Sequence, residues 1–283
     1  MSELFDALGD PDFPLMRHAL FAGVLASVAF GVMGTYVVTR RISYLAAAIA
    51  HCVLGGIGAA LYCQAALGLA WCQPMYGAVA AALIAALIIG LVSLYARQRE
   101  DTVIGALWVI GMAGGLLLIA KTPGYVDPMN YLFGNILLIS RHDLWLAAGL
   151  DVLVVGLVLL LHNKFLAVCF DEQFTELRGV RVKCHYLLLL CLTALTVVLL
   201  VRVVGIVMVI ALLTLPAAVA GHFSQTLRQM MVLAVLFCVV FVTAGLGISY
   251  PYDLPTGPVI VVLAGAVYLA VAVGCRLLRP HRT

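Results

Sequence analysis

Hydrophobic positions along this chain come in long blocks rather than in alternating stripes. Nine stretches approach the roughly 20 apolar residues that a helix needs to cross a bilayer: Leu15 to Val38, Tyr44 to Tyr62, Pro74 to Tyr95, Val103 to Ala120, Leu144 to Leu161, Tyr186 to Val201, Val204 to Gly221, Met230 to Ile248 and Gly257 to Gly274. Only Arg202 and Val203 separate the sixth from the seventh, so these two form either a tight helical hairpin or a crossing followed by a broken helix. A further apolar stretch, Met129 to Ser140, is too short to cross and reads as re-entrant or interfacial. The pattern predicts an all-α polytopic membrane protein of about nine transmembrane helices, a single domain over residues 1–283.

Composition agrees with that reading and removes others. The hydrophobic fraction is 65%, the charged fraction 10% and the mean hydropathy +1.15, whereas a soluble domain is roughly 45–50% apolar and about 25% charged. Disordered, collagen-like, coiled-coil and nucleic-acid-binding classes each need charge or a polar repeat that is missing here. The 16 Lys and Arg set the orientation, because cytoplasmic loops of membrane proteins are enriched in them. With the N-terminus outside, the cytoplasmic side receives 12 of the 16 and the outside Arg17, Lys121, Arg141 and Arg202. Counting Met129 to Ser140 as a crossing would put the basic loop Asn163 to His185 outside. The expected layout is an extracytoplasmic stretch over 1–14, a cytoplasmic loop over 163–185 and a cytoplasmic tail over 276–283. Acidic Glu3, Asp6, Asp10 and Asp12 do not fit a secretory leader, which begins with positive charge, and no soluble domain is expected at either end.

The eight cysteines include no C-x-x-C pair and read mostly as small buried residues. Cys63 and Cys72 flank a short loop and could pair if that loop faces an oxidising compartment. There is neither an H-E-x-x-H motif nor a G-x-x-x-x-G-K-[ST] phosphate loop, so hydrolysis of ATP would have to occur on another polypeptide.

Four segments carry candidate chemistry. His51 lies well inside the second span, on a face with Ala47, Gly55 and Ala59 that lets another helix, or a copy of the same one, approach closely. An imidazole at that depth is either a packing group or a ligand for zinc, manganese or iron. The stretch Phe170 to Val182 reads as a short cytoplasmic helix, capped by Asp171 and ended by Gly179, with Phe170, Phe174 and Leu177 on one face. That face must be buried on the membrane, on the protein's own spans or in a partner's groove. Pro216 predicts a kink or break in the seventh span. Asp253 is placed to cap the last span, and Asp151 is the one carboxylate well inside a span, where it needs a partner or a wet cavity.

Taken in order, Arg17-His18-Ala19-Leu20, Arg40-Arg41-Ile42-Ser43-Tyr44, Ala50-His51, the Val204-Gly205 to Pro216-Ala217-Ala218 span and the Asp253-Leu254-Pro255-Thr256-Gly257 turn resemble the permease subunits of ABC importers for zinc, manganese and iron. The resemblance covers nearly the whole chain. It implies a homodimeric permease in the bacterial inner membrane, two copies of a cytoplasmic ATPase that bind ATP, and an extracytoplasmic metal-binding protein that delivers the ion. It also implies that Phe170 to Val182, with Phe170, Asp171, Phe174, Leu177 and Gly179, couples the permease to the ATPase. His51 matches a family histidine of the translocation path, and two copies would come near the dimer axis. The family's Asp-x-x-x-His pair is broken, because Ala47 stands at the carboxylate position, and a frequent family histidine falls at Val109. Asp151 is the remaining candidate ligand. The competing functions are a stand-alone secondary transporter or channel, for which only Asp151 qualifies as a coupling carboxylate and no clear inverted repeat is present, and a scaffold whose His51 only packs helices.

Overall fold

The computed structural model describes residues 14–95, 100–123, 129–134 and 141–278. All regular structure among them is helical, in the order α1 (Pro14–Thr39), α2 (Ser43–Ala66), α3 (Pro74–Tyr95), α4 (Glu100–Lys121), α5 (Met129–Phe133), α6 (Arg141–Phe170), α7 (Glu172–Leu177), α8 (Val182–Val204), α9 (Ile206–Phe223), α10 (Leu227–Ser249) and α11 (Thr256–Leu278). Eight of these, all but α5, α7 and α8, are long and apolar enough to cross a membrane. The remaining expected span falls in α8, whose described apolar part, Val182–Val198, is shorter than the others. Residues 135–140 of the expected re-entrant stretch lie outside the described residues; α5 is its helical start.

Two helix boundaries differ from the hydropathy pattern for the same reason. α6 continues to Phe170 and α8 starts at Val182, because a helix keeps its backbone paired beyond the point where its side chains stop being apolar. Most of the expected 163–185 loop is therefore helix, and only the short α7 and its flanks connect the two.

The helices form two groups. On one side α2 packs against α3 and α4; on the other α1 packs against α6, α9 and α10, and α11 covers α9 and α10. α8 bridges the groups, resting on α3, α6 and α2. α1 and α2 scarcely touch along their lengths, yet they are joined by a very tight turn. Arg41 N–H bonds Val38 O at 3.0 Å and Ile42 N–H bonds Val37 O at 2.9 Å, with Arg41 at φ 60° and Ile42 buried. This is a Schellman ending with a non-glycine residue in the left-handed position, and it leaves no slack between the two groups.

The separation expected at Arg202 and Val203 falls at Gly205, between α8 and α9, and the chain does not break at Pro216. α9 runs unbroken through Pro216, which is buried against its neighbours, and the carbonyl that loses its amide donor is shielded by protein rather than by lipid. Gly205 instead adopts φ 80°, ψ 162°, a conformation open essentially only to glycine. Its N–H still reaches Val201 O and its carbonyl accepts from Val209 N–H, so one residue turns the chain while both of its own backbone groups stay paired. A side chain at Gly205 would overlap Phe133 and Gly134, and one at Gly134 would overlap Val204 and Gly205. α5 is thereby pinned by backbone contact to the α8–α9 break. At the same end Ser249 Oγ and Thr256 Oγ1 lie 2.9 Å apart and tie α10 to α11. Asp253, expected as the cap of the last span, sits at φ 48° in the preceding turn. α11 begins at Thr256, so Pro255 holds the cap position and Asp253 is too early in the chain to reach the first amides.

Gly205→Ala should therefore cost more stability than Gly68→Ala. Both residues have positive φ, but Gly68 has open space around it. Thermal melting in detergent should show a loss of about 1 kcal/mol at Gly68 and at least twice that at Gly205; equal losses would show that the α5 contact contributes nothing.

Candidate functional site

α2 is seated by glycines on two sides. Toward α4, a Cβ on Gly55 would lie 2.9 Å from Gly111 O, and one on Gly111 would lie 2.9 Å from the Cα of Cys52; Gly58 and Gly115 meet in the same way one turn further on. Toward α3, Gly56 and Gly77 are in reciprocal backbone contact. The small-residue face that the sequence leaves open for another helix is thus met at Gly55 by α4 of the same chain, while His51, Gly55 and Ala59 stay only partly buried. In a bilayer this close approach is the main attraction between helices, since lipid offers no hydrophobic force to press them together.

His51 stands where this seat fixes it. Its Nδ1 lies 2.8 Å from Ala47 O, and a carbonyl only accepts, so Nδ1 carries the proton and the lone pair of neutral His51 is on Nε2. The ring stacks on Trp108 of α4, with centroids 4.4 Å apart and planes 30° from parallel. Tyr44 also lies against this indole, with centroids 5.7 Å apart. His51 is half-buried. Ala47, where the family pattern has a carboxylate, contributes its carbonyl instead and sets the tautomer. A half-buried imidazole with a free Nε2 is suited to coordinate a borderline transition-metal cation. Val109 is largely exposed on the outward side of α4, whereas its neighbour Trp108 is the residue that meets His51.

Asp151 is not brought to His51. It lies on α6, buried at 8% exposure, and α6 packs on α1 while making no substantial contact with α2. Neither carboxylate oxygen has a hydrogen-bond partner among the described residues. Among the described residues no group of three or more His, Cys, Asp or Glu is arranged to hold a metal ion. Cys63 and Cys72 are both free.

The third predicted feature lies at the end of the molecule where α1 meets α2. Asp171 caps α7, accepting from Phe174 N–H at 2.9 Å, and Gly179 takes φ 76° just beyond it. α7 is held to the body by its other side, where Thr175 is buried and Glu172 forms an ion pair with Arg40. Phe170, the last residue of α6, Phe174 and Leu177 are 69%, 52% and 87% exposed. The helix expected to begin at Phe170 begins instead at Glu172, and Phe170, Phe174 and Leu177 are each left largely unpacked on the protein's own spans. Nearby, Arg228 Nε donates to His162 Nε2 at 3.4 Å, which places the proton of neutral His162 on Nδ1, 3.0 Å from the Tyr36 hydroxyl.

The sequence reading missed Trp108 and the Arg40–Glu172 pair. A signal for the first was present: Gly105, Trp108, Gly111 and Gly115 share one face of α4, a small-residue stripe interrupted by one aromatic. No local pattern marks the second, because Arg40 and Glu172 are brought together only by the fold.

A polytopic bundle of apolar helices that carries a short helix with exposed apolar side chains at one end is an architecture that suits a membrane transport subunit. The profile of the ABC 3 transport family matches residues 12–274. The chain belongs to that family. A probable metal transport system membrane protein of Chlamydia pneumoniae is 42% identical over 91% of this chain and 89% of its own length. The manganese transport system membrane protein MntC of Halalkalibacterium halodurans is 35% identical over 90% and 86%. Among solved structures, PsaBC from Streptococcus pneumoniae in complex with Fab superposes with a TM-score of 0.84 at 28% identity, covering 95% of this chain and 94% of that one. A putative metal-chelate type ABC transporter in an inward-facing conformation shares the fold, with a TM-score of 0.71 at 11% identity.

The seat of α2 can be tested by a neighbouring pair. Gly115→Ala should destabilise the protein by about 1–3 kcal/mol, the range for overpacking, because its Cβ would press on Leu54 and Gly55. Gly114→Ala meets nothing and should be neutral or slightly stabilising; melting curves of the two variants in detergent check this.

Proposed function

We propose that this chain is the membrane-spanning subunit of an ATP-driven importer of a divalent transition metal. Manganese is the first candidate cargo, with zinc and iron as the others. The chain works as a homodimer in the bacterial inner membrane, N-terminus outside and C-terminus inside, with a cytoplasmic ABC ATPase on each copy and an extracytoplasmic binding protein that hands over the ion. The observation that carries this reading is α7: a capped helix fastened by Thr175 and Glu172, with Phe170, Phe174 and Leu177 turned away from the body. An apolar helix face of this kind fits a partner's groove. The name of the Halalkalibacterium halodurans relative, a manganese transport system membrane protein, supports manganese.

In this reading His51 presents Nε2 to the passing ion and Trp108 fixes the plane of the ring. Two copies about the dimer axis supply a pair of nitrogen donors, which favours a transition metal over magnesium or calcium. With Ala47 in place of a carboxylate the ion is held weakly, as passage requires. Asp151 belongs to the α1–α6 contact and takes no part in this path.

Replacing Phe174 and Leu177 together with Asp should lower the amount of ATPase that co-purifies at least tenfold. The elution volume of the permease itself in detergent should not change. Undiminished co-purification would overturn the proposal.

A further inference from the structure

Arg40 occupies an unusual position. It is the last residue before the left-handed turn at Arg41, so it stands on the covalent joint between the two helix groups. Its guanidinium pairs with Glu172 on the first turn of α7. The same guanidinium lies over the Tyr186 ring at the start of α8, 5.4 Å from the centroid. The Tyr186 hydroxyl donates to Ser93 Oγ at 3.1 Å, near the end of α3. One side chain thus meets α7 and the bridging helix α8, and reaches α3 through Tyr186.

The mechanical consequence follows from what surrounds it. Glu172 lies two residues from Phe174, on the helix whose apolar face is exposed. On the other side of Arg40 the Schellman turn leaves only Arg41 and Ile42 before α2 begins at Ser43. From there a continuous helix runs to His51, a rise of about 12 Å, with its far half locked between α3 and α4 by the glycine contacts. No flexible loop interrupts the sequence Glu172, Arg40, turn, α2, His51. A movement of α7 is passed to α2 as a rigid displacement, provided that the ion pair holds.

We infer that Arg40 is the positioning residue that couples α7 to α2, through its ion pair with Glu172, so that engagement of the ATPase reorients the His51 region. This rests on the docking of the ATPase at α7. A half-exposed ion pair contributes little to stability, typically 0–1 kcal/mol, and its role here is to transmit direction rather than to hold the fold. Spatial succession alone does not show coupling; a charge-swap cycle does.

The experiment uses the full permease with its ATPase, expressed in cells that depend on it for manganese, with manganese(II) uptake as readout and co-purified ATPase measured in parallel. Glu172→Arg, at a half-exposed position that tolerates the change, should cut uptake at least tenfold with the ATPase still bound. Arg40→Glu should do the same, and Arg40→Lys should keep most of the uptake. The double swap Arg40→Glu with Glu172→Arg should return uptake to within about threefold of the parent. Wild-type uptake in either reversal, no recovery in the double swap, or loss of the ATPase from Glu172→Arg would each overturn the inference. A readout independent of the cargo is amide hydrogen exchange over Ser43 to Ala50 in the purified complex. Its ATP-dependent change should vanish in each single reversal and reappear in the swap; a change that persists in the single reversals would contradict the inference. Retention of the ATPase by the Phe174 and Leu177 double variant would be a failure of the docking reading, and it is distinct from any of these.

Discussion

In a bilayer, backbones that come close enough to touch are what hold helices together, and the rest of this structure depends on that contact around α2. Gly55 and Gly58 on one side and Gly56 on another let α4 and α3 approach until carbonyls and Cα atoms are in contact. Dispersion between closely packed backbones replaces the hydrophobic drive that water supplies to soluble proteins. A side consequence is precision: an interface with no side chains to yield allows only one register. That register puts Trp108 under His51 and Tyr44 beside it, and so decides which way the free imidazole nitrogen points.

The same economy of linkers recurs at both ends of the molecule. At one end Gly205 alone separates α8 from α9 and is locked against α5. At the other a three-residue Schellman turn separates α1 from α2, with an arginine, not a glycine, in the left-handed position. Left-handed backbone at a residue with a Cβ costs roughly 1–2 kcal/mol. The turn nevertheless keeps Ile42 buried and both chain directions paired. Short, strained joints of this kind move helices as bodies, the mode of change expected of a transporter in which packed groups rock against one another.

Much of this was legible from the chain, and the limits have physical causes. Apolar blocks gave the membrane helices because length and hydropathy are local properties, and the cap at Asp171 and the stop at Gly179 were readable because capping acts within one turn. His51 was recognisable by depth, but not its partner, since the pairing of α2 with α4 is decided between segments more than fifty residues apart. Pro216 drew attention by a local rule and was absorbed by burial, whereas the real break at Gly205 depends on Gly134 across the fold. Asp253 failed as a cap because the turn before α11 takes up two more residues than capping allows. Asp151 had seemed a ligand in reserve; the helix that carries it packs on α1, away from His51.

The central claim is that the α2 seat presents His51 Nε2 to a metal ion in transit. Manganese uptake at limiting external manganese, in cells that depend on this permease, compares the parent with His51→Ala most directly. A fall of at least tenfold, with unchanged expression and unchanged co-purification of the ATPase, is the result this account predicts. Uptake at the parental rate would contradict it and leave His51 as a ring that only packs against Trp108.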